Sequence, residues 1–181
     1  EIVEIPEAAE GGPDLGVLEQ ALKACPADRL KIGSFSAASN VTGILTDVNA
    51  VTALLKRFGA LSIWDYAGAG PYCPIDMQPG TPFEKDAIVV SCHKFIGGPA
   101  ASGVLIVRNA AMPRTTPVLP GGGTVRFVSP WNHDYTANLA AREESGTPNV
   151  IGDIRAALAF IVKDVIGEAY MAQRNAELRA R

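Results

Sequence analysis

Ser91-Cys92-His93-Lys94 closes an apolar run, Ala87-Ile88-Val89-Val90, and leads into the small-residue stretch Gly97-Gly98-Pro99-Ala100-Ala101-Ser102-Gly103. A lysine at the end of a buried strand is expected to have a depressed pKa, because burial disfavours the ammonium. The neutral amine can then condense with an aldehyde. Ser91 and His93 beside it can hold a phosphate, and the glycines let backbone approach a ligand closely. The competing reading is a lysine that snorkels from a strand end to water. Two other polar strand ends favour the chemical reading.

The first is Asp65, which closes the apolar run Leu61 to Trp64 and precedes Tyr66-Ala67-Gly68. An ionised aspartate can keep a pyridine ring nitrogen protonated, and a protonated ring is an electron sink. Asp65 can equally serve as a cap or turn residue. The second is Asn40, beyond the run Leu30-Lys31-Ile32-Gly33-Ser34-Phe35. Its amide could bond a phenolic oxygen, or it could form an Asx-turn.

Asn, Asp and Lys at three successive strand ends resemble the pyridoxal-phosphate enzymes of fold type I. The nearest resemblance is to the class V aminotransferase family, in its cysteine desulfurase and selenocysteine lyase branch. It is carried by Ser39-Asn40-Val41-Thr42-Gly43, Asp65-Tyr66-Ala67, Ser91-Cys92-His93-Lys94, Gly121-Gly122-Gly123 and Arg142-Glu143-Glu144-Ser145-Gly146-Thr147-Pro148-Asn149, in the family's order. Each motif is weak alone; the ordered set is specific.

The resemblance implies pyridoxal 5'-phosphate as cofactor, with Lys94 as the Schiff-base lysine and Asp65 on the pyridinium nitrogen. It implies Ser91 and His93 on the phosphate, Asn40 on the phenolic oxygen or the substrate carboxylate, and Ala67 among the cofactor-binding residues. It further implies an amino-acid substrate, a homodimer and cysteine desulfurase chemistry, in which sulfur leaves cysteine and alanine remains. Transamination, epimerisation, another lyase reaction and a non-catalytic homologue are the alternatives. In that branch a glutamine often stands three residues after the aspartate. Gly68 occupies the position here, so one cofactor contact is lost or supplied elsewhere.

The elements that must position these residues follow from periodicity. Asp14 caps a helix with Leu15, Leu18, Ala21, Leu22 and Cys25 at helical spacing, closed by Pro26. A second helix starts near Asp47, places Val48, Val51, Leu54, Leu55 and Phe58 on one face, and stops at Gly59. Ile2-Val3-Glu4-Ile5 reads as an opening strand. The loop between Ala87–Val90 and Gly103–Arg108 is too short for a helical crossover, which predicts an antiparallel pair. Residues 112–149 read as irregular. Thr147 and Pro148 read as a helix start, with an apolar face of Val150, Ile154, Ala157, Leu158, Ile161 and Val165.

The expected class is α/β: a mostly parallel mixed sheet flanked by helices, resembling part of the fold-type-I large domain. Residues 1–166 would form a partial cofactor-binding domain and 167–181 the start of a connecting helix. In such sheets ligands bind beyond the carboxyl ends of the strands, where all three candidates fall. The Gly121–Gly123 turn could cradle a phosphate or simply bend, and the resemblance implies that Thr136 or Arg142 could reach a neighbouring subunit. His133 reads as a loop or interface residue.

Bulk properties narrow the class. The chain has 181 residues, 48% hydrophobic and 19% charged, with a formal charge of -3. This suits one core-bearing domain and no nucleic-acid footprint. No apolar run approaches a membrane span. Cys25, Cys73 and Cys92 form no C-x-x-C pair, which points away from zinc and disulfides and toward a reducing, cytoplasmic setting, an organelle being the alternative. Cys92 reads as a buried structural thiol. The opening at Glu1 and the stop at Arg181 inside a helical pattern read as those of a fragment.

Overall fold

The computed structural model describes residues 1–181. Four strands form its sheet: β1 (Ile32–Ser36), β2 (Leu61–Asp65), β3 (Ala87–Val90) and β4 (Val104–Val107), in the order β1-β2-β3-β4. β1, β2 and β3 run parallel, while β4 returns antiparallel to β3. The antiparallel expectation holds because only the turn at Cys92–Lys94 and a short loop separate β3 from β4.

α1 (Leu15–Ala24) is capped by Asp14, whose carboxylate accepts from Gly16 N and Val17 N. α2 (Val48–Arg57) connects β1 to β2, and the Asp47 carboxylate accepts from Ala50 N at its start. Gly59, at φ +65°, takes the left-handed conformation that ends this helix cheaply. α2 buries Val51, Leu54 and Leu55. It packs so closely on β1 that a Cβ at Gly33 would strike the Leu55 side chain. Trp64 of β2 is fully buried, and its indole N–H donates to Thr52 Oγ1 of α2 at 3.0 Å. The core continues through Ile88 and Val90 to Phe95, Ala101, Ala156 and Ala159.

Several expectations are corrected. Ile2–Ile5 forms no strand, and the chain is first tied down just after it, where Asp14 N donates to the Pro6 carbonyl. Residues 112–149 are less irregular than expected: β5 (Val125–Val128) and β6 (His133–Tyr135) pair antiparallel, and α3 (Leu139–Glu143) follows. α4 (Val150–Ile166) starts later than Thr147-Pro148, because the Asn149 side chain is the cap, accepting from Gly152 N.

The inward face of α4 is also different. Gly152, Ala156, Ala159 and Lys163 are buried, whereas Val150, Ile154, Leu158, Ile161 and Val165 are all more than half exposed. Small residues give the closer approach to the Lys94 loop, and Ser102 N donates to the Gly152 carbonyl at 3.0 Å. Gly167, at φ +81°, separates α4 from the polar α5 (Glu168–Arg179).

At the amino edge, Asp86 fastens three strands. Its Oδ2 accepts from Ser62 N at 2.8 Å, and its Oδ1 accepts from Arg108 Nε at 2.8 Å. Asp86→Ala is expected to lower stability by about 2 kcal/mol, chiefly by leaving the buried Ser62 N–H without an acceptor. Arg108 is one-third exposed, so water screens its side of the ion pair, although the Asp86 carboxylate is buried. Asp86→Asn keeps an acceptor and should cost less. An unchanged urea midpoint for Asp86→Ala would disprove this account.

Candidate active site

Parallel register places the candidate residues. Ser36 stands opposite Asp65, and Asp65 opposite Val89, so the carboxyl ends of β1, β2 and β3 share one edge. Asn40 lies four residues past β1, Asp65 ends β2, and the turn carrying His93 and Lys94 begins two residues past β3. The structure brings all of them to the carboxyl edge expected of a ligand site in an open parallel sheet.

The local conformation of each residue has a cause. Asp65 Oδ1 accepts from Ala67 N at 2.7 Å, which starts the turn that leads the chain away from the sheet. The turn reading of Asp65 is therefore correct for one carboxylate oxygen. The other makes no hydrogen bond within the chain, and Asp65 is the exposed residue of its strand. At Asn40 the Asx-turn reading fails. Ser39 Oγ turns the chain instead, accepting from Val41 N and Thr42 N. The exposed Asn40 amide is left without an internal partner.

Cys92–Lys94 forms one 3-10 turn, in which Lys94 N donates to the Ser91 carbonyl and Phe95 N to the Cys92 carbonyl. The turn splits its residues by environment. Cys92 is fully buried and its thiol pKa is raised by that burial, as a structural thiol requires. His93 and Lys94 face solvent, and Ser91 is half-buried. Lys94 is thus not the buried strand-end lysine expected from the sequence: the turn lifts it out of the strand before its side chain departs. The Ser91 hydroxyl, His93 ring and Lys94 ammonium have no hydrogen-bond or ion-pair partner in the chain.

One amine, one hydroxyl and one imidazole on a single turn, with a carboxylate at the adjoining strand end, suit a phosphorylated pyridine aldehyde. Apart from the Asp65 oxygen bonded to Ala67 N, no internal partner competes for them, and the set therefore fits pyridoxal phosphate. Gly68 needs no glycine for steric reasons: a Cβ there would meet only Ala38 O, at 3.7 Å. A groove of about 240 Å³ adjoins this edge, lined in part by Glu7, Phe35, Ser36, Ser39 and Thr46. Sequence reading missed Ser36 and Thr46, because the bond from Thr46 Oγ1 to the Ser36 carbonyl spans ten residues.

Other candidates separate from this edge. The Gly121–Gly123 turn is closed on itself by Thr124 Oγ1 donating to the Gly121 carbonyl, and Gly146 N donates to the Gly122 carbonyl. This is the turn reading rather than a cradle. Arg142 is buried in its own chain, donating to the Arg114 carbonyl and pairing with Glu143. That use opposes a role across a subunit boundary. His133 is an exposed strand residue edge-on to Tyr135.

Comparison with known proteins gives concordant findings. A family model described as aminotransferase class-V matches residues 1–181. A probable cysteine desulfurase of Mycobacterium leprae is 32% identical over 153 residues, covering 84% of this chain and 35% of its own length. One from Pasteurella multocida is 38% identical over 117 residues, covering 64% of this chain and 27% of its own length. The apo cysteine desulfurase of Thermococcus onnurineus superposes with a TM-score of 0.76 at 27% identity, over 91% of this chain and 39% of that one. A cysteine desulfurase of Escherichia coli gives 0.74 at 26%, over 91% and 38%. The matched part of the chain thus spans between 27% and 39% of the length of these relatives.

Proposed function

This chain belongs to the class V aminotransferase family, and from that premise we propose that it forms the cofactor-binding part of a cysteine desulfurase-like enzyme. The carrying observation is the convergence of Asn40, Asp65, Ser91, His93 and Lys94 on one sheet edge, with the side chains of Asn40, Ser91, His93 and Lys94 and one oxygen of Asp65 left without internal partners. Pyridoxal phosphate, the cofactor of this family, supplies an electron sink for charge developing at the substrate Cα.

The residues divide the work by chemistry. Lys94 would hold the cofactor aldehyde and, once released, its amine would take the proton from the substrate Cα as general base. The unbonded Asp65 oxygen would hold a proton at the ring nitrogen, while its partner oxygen stays committed to Ala67 N. Ser91 and His93 would bind the phosphate through hydroxyl and imidazole. Asn40 would orient the phenolic oxygen or the substrate carboxylate. Cys92 is too buried to accept sulfur. We assign residues 1–166 to the cofactor-binding domain and α5, beyond the break at Gly167, to a connecting helix. Homodimerisation and cysteine as substrate belong to the proposal for the whole protein. No helix here is long and apolar enough to cross a membrane.

Borohydride reduction of the cofactor-loaded protein, followed by peptide mapping, is expected to place the pyridoxyl group on Lys94. Recovery on Lys31, Lys56 or Lys85 would sink the assignment. Lys85 is the most informative control, since burial lowers its pKa but also closes its side chain to a bulky aldehyde.

A further inference from the structure

Lys163 is a buried cation with no part in the chemistry above. It lies on the inward face of α4 and is only 9% exposed. Its ammonium donates to the Cys73 carbonyl at 2.5 Å, pairs with Glu168 at 2.9 Å and stands 5.8 Å from the centre of the Phe95 ring. An ammonium withdrawn from water is costly unless it is paired, so these partners fix its position.

Two of them lead directly to the site. Phe95 follows Lys94, closes its turn through the bond to the Cys92 carbonyl, and packs against Phe160 of α4 with ring centres 5.0 Å apart. Cys73 ends a succession of turns that begins at Asp65. Ala67 N donates to Asp65 Oδ1, Gly70 N to the Tyr66 carbonyl, and Cys73 N to the Ala69 carbonyl. One ammonium therefore touches both the segment that leaves Asp65 and the segment that carries Lys94.

We propose that Lys163 is a positioning residue, tying the loop after Asp65 to the Lys94 turn and so setting the spacing of the two. The value of that spacing rests on the cofactor reading given above. α4 has its own anchors in Ala156, Ala159 and the Ser102–Gly152 bond, so the helix should stay docked without the ammonium.

Lys163→Met keeps the stem against Phe95 and removes the donors; Lys163→Arg keeps charge and donors. In the cofactor-free protein, Lys163→Met is expected to speed amide exchange about tenfold in both 66–73 and 92–98, the scale of one charge-assisted hydrogen bond, with α1, α2 and β1 unchanged. In the loaded protein it should release pyridoxal phosphate about tenfold faster. Lys163→Arg should restore both. Wild-type exchange in either segment, or exchange raised evenly through the chain, would overturn the tie. Faster exchange with unchanged cofactor release would overturn its role in the site. Should the wild-type protein take up no pyridoxal phosphate, the proposed function fails, while exchange still decides whether Lys163 joins the two segments.

Discussion

Asp65→Asn is expected to keep the fold and the cofactor and to lose Cα-proton exchange by about 10²–10³-fold, the scale of removing one preorganised charge-stabilising group. The structure makes this substitution more telling than alanine. Asp65 Oδ1 accepts from Ala67 N, and an asparagine oxygen can accept the same bond. Asparagine therefore preserves the turn and removes only the negative charge that would hold a proton on the ring nitrogen. Asp65→Ala removes both, and should add a loss of about 1 kcal/mol in stability from the broken turn bond. Asp65→Glu keeps a carboxylate in a shifted place and should fall between wild type and asparagine in exchange. Uptake of cofactor should survive in all three, because attachment needs only Lys94 and the aldehyde. The measurements are Cα-proton exchange in the cofactor-loaded enzyme and thermal stability of each variant. Wild-type exchange in a loaded Asp65→Asn enzyme would leave Asp65 with a turn role alone.

The two oxygens of Asp65, one bonded to Ala67 N and one free, show what sequence reading could and could not reach. Cap, turn and ligand readings compete for a single side chain on paper, but a carboxylate has two oxygens and here they separate. α1 and α2 were legible because each has a helical period and local stops, Asp14 and Asp47 as caps and Gly59 as terminator, and β1, β2 and β3 because each is an apolar run that gives way to polar and small residues. The sheet edge was legible because parallel strands carry their loops at one end. The environment of Lys94 was not legible. A three-residue helical turn has no periodicity of its own, and it reverses the exposure that strand alternation would assign. The inward face of α4 was misread for a related reason. Hydrophobicity selects its large residues, whereas the buried face carries small ones, Gly152 against Ser102 and Ala156 further along. Lys163 was hidden because a lysine is assigned to the solvated face unless its partners, 90 residues away at Cys73, are known.

The largest structural effect is expected at Gly98. Its neighbour Gly97 has φ +78° and open space where a Cβ would go, so Gly97→Ala meets only left-handed strain, about 1–2 kcal/mol. Gly98 has no such backbone requirement, but a Cβ there would fall well inside the contact distance of the Cys92 carbonyl oxygen and close on the Phe95 carbonyl. Both obstacles are backbone and cannot rotate away. Gly98 N also donates to the Phe95 carbonyl, and Ala101 N donates to the Gly98 carbonyl. Relief therefore requires the turn that carries Lys94 to open, not merely a side chain to move. Gly98→Ala should destabilise by about 3 kcal/mol, at the upper end for overpacking, and should exceed Gly97→Ala. It should also expose Cys92, whose thiol is fully buried behind this turn. The comparison needs urea midpoints for both variants and the rate of thiol labelling at Cys92, followed by peptide mapping. A Gly98→Ala protein with a wild-type midpoint and an unreactive Cys92 would mean that the loop accommodates the methyl group. The close approach of backbone to backbone would then not be what holds Lys94 at the sheet edge.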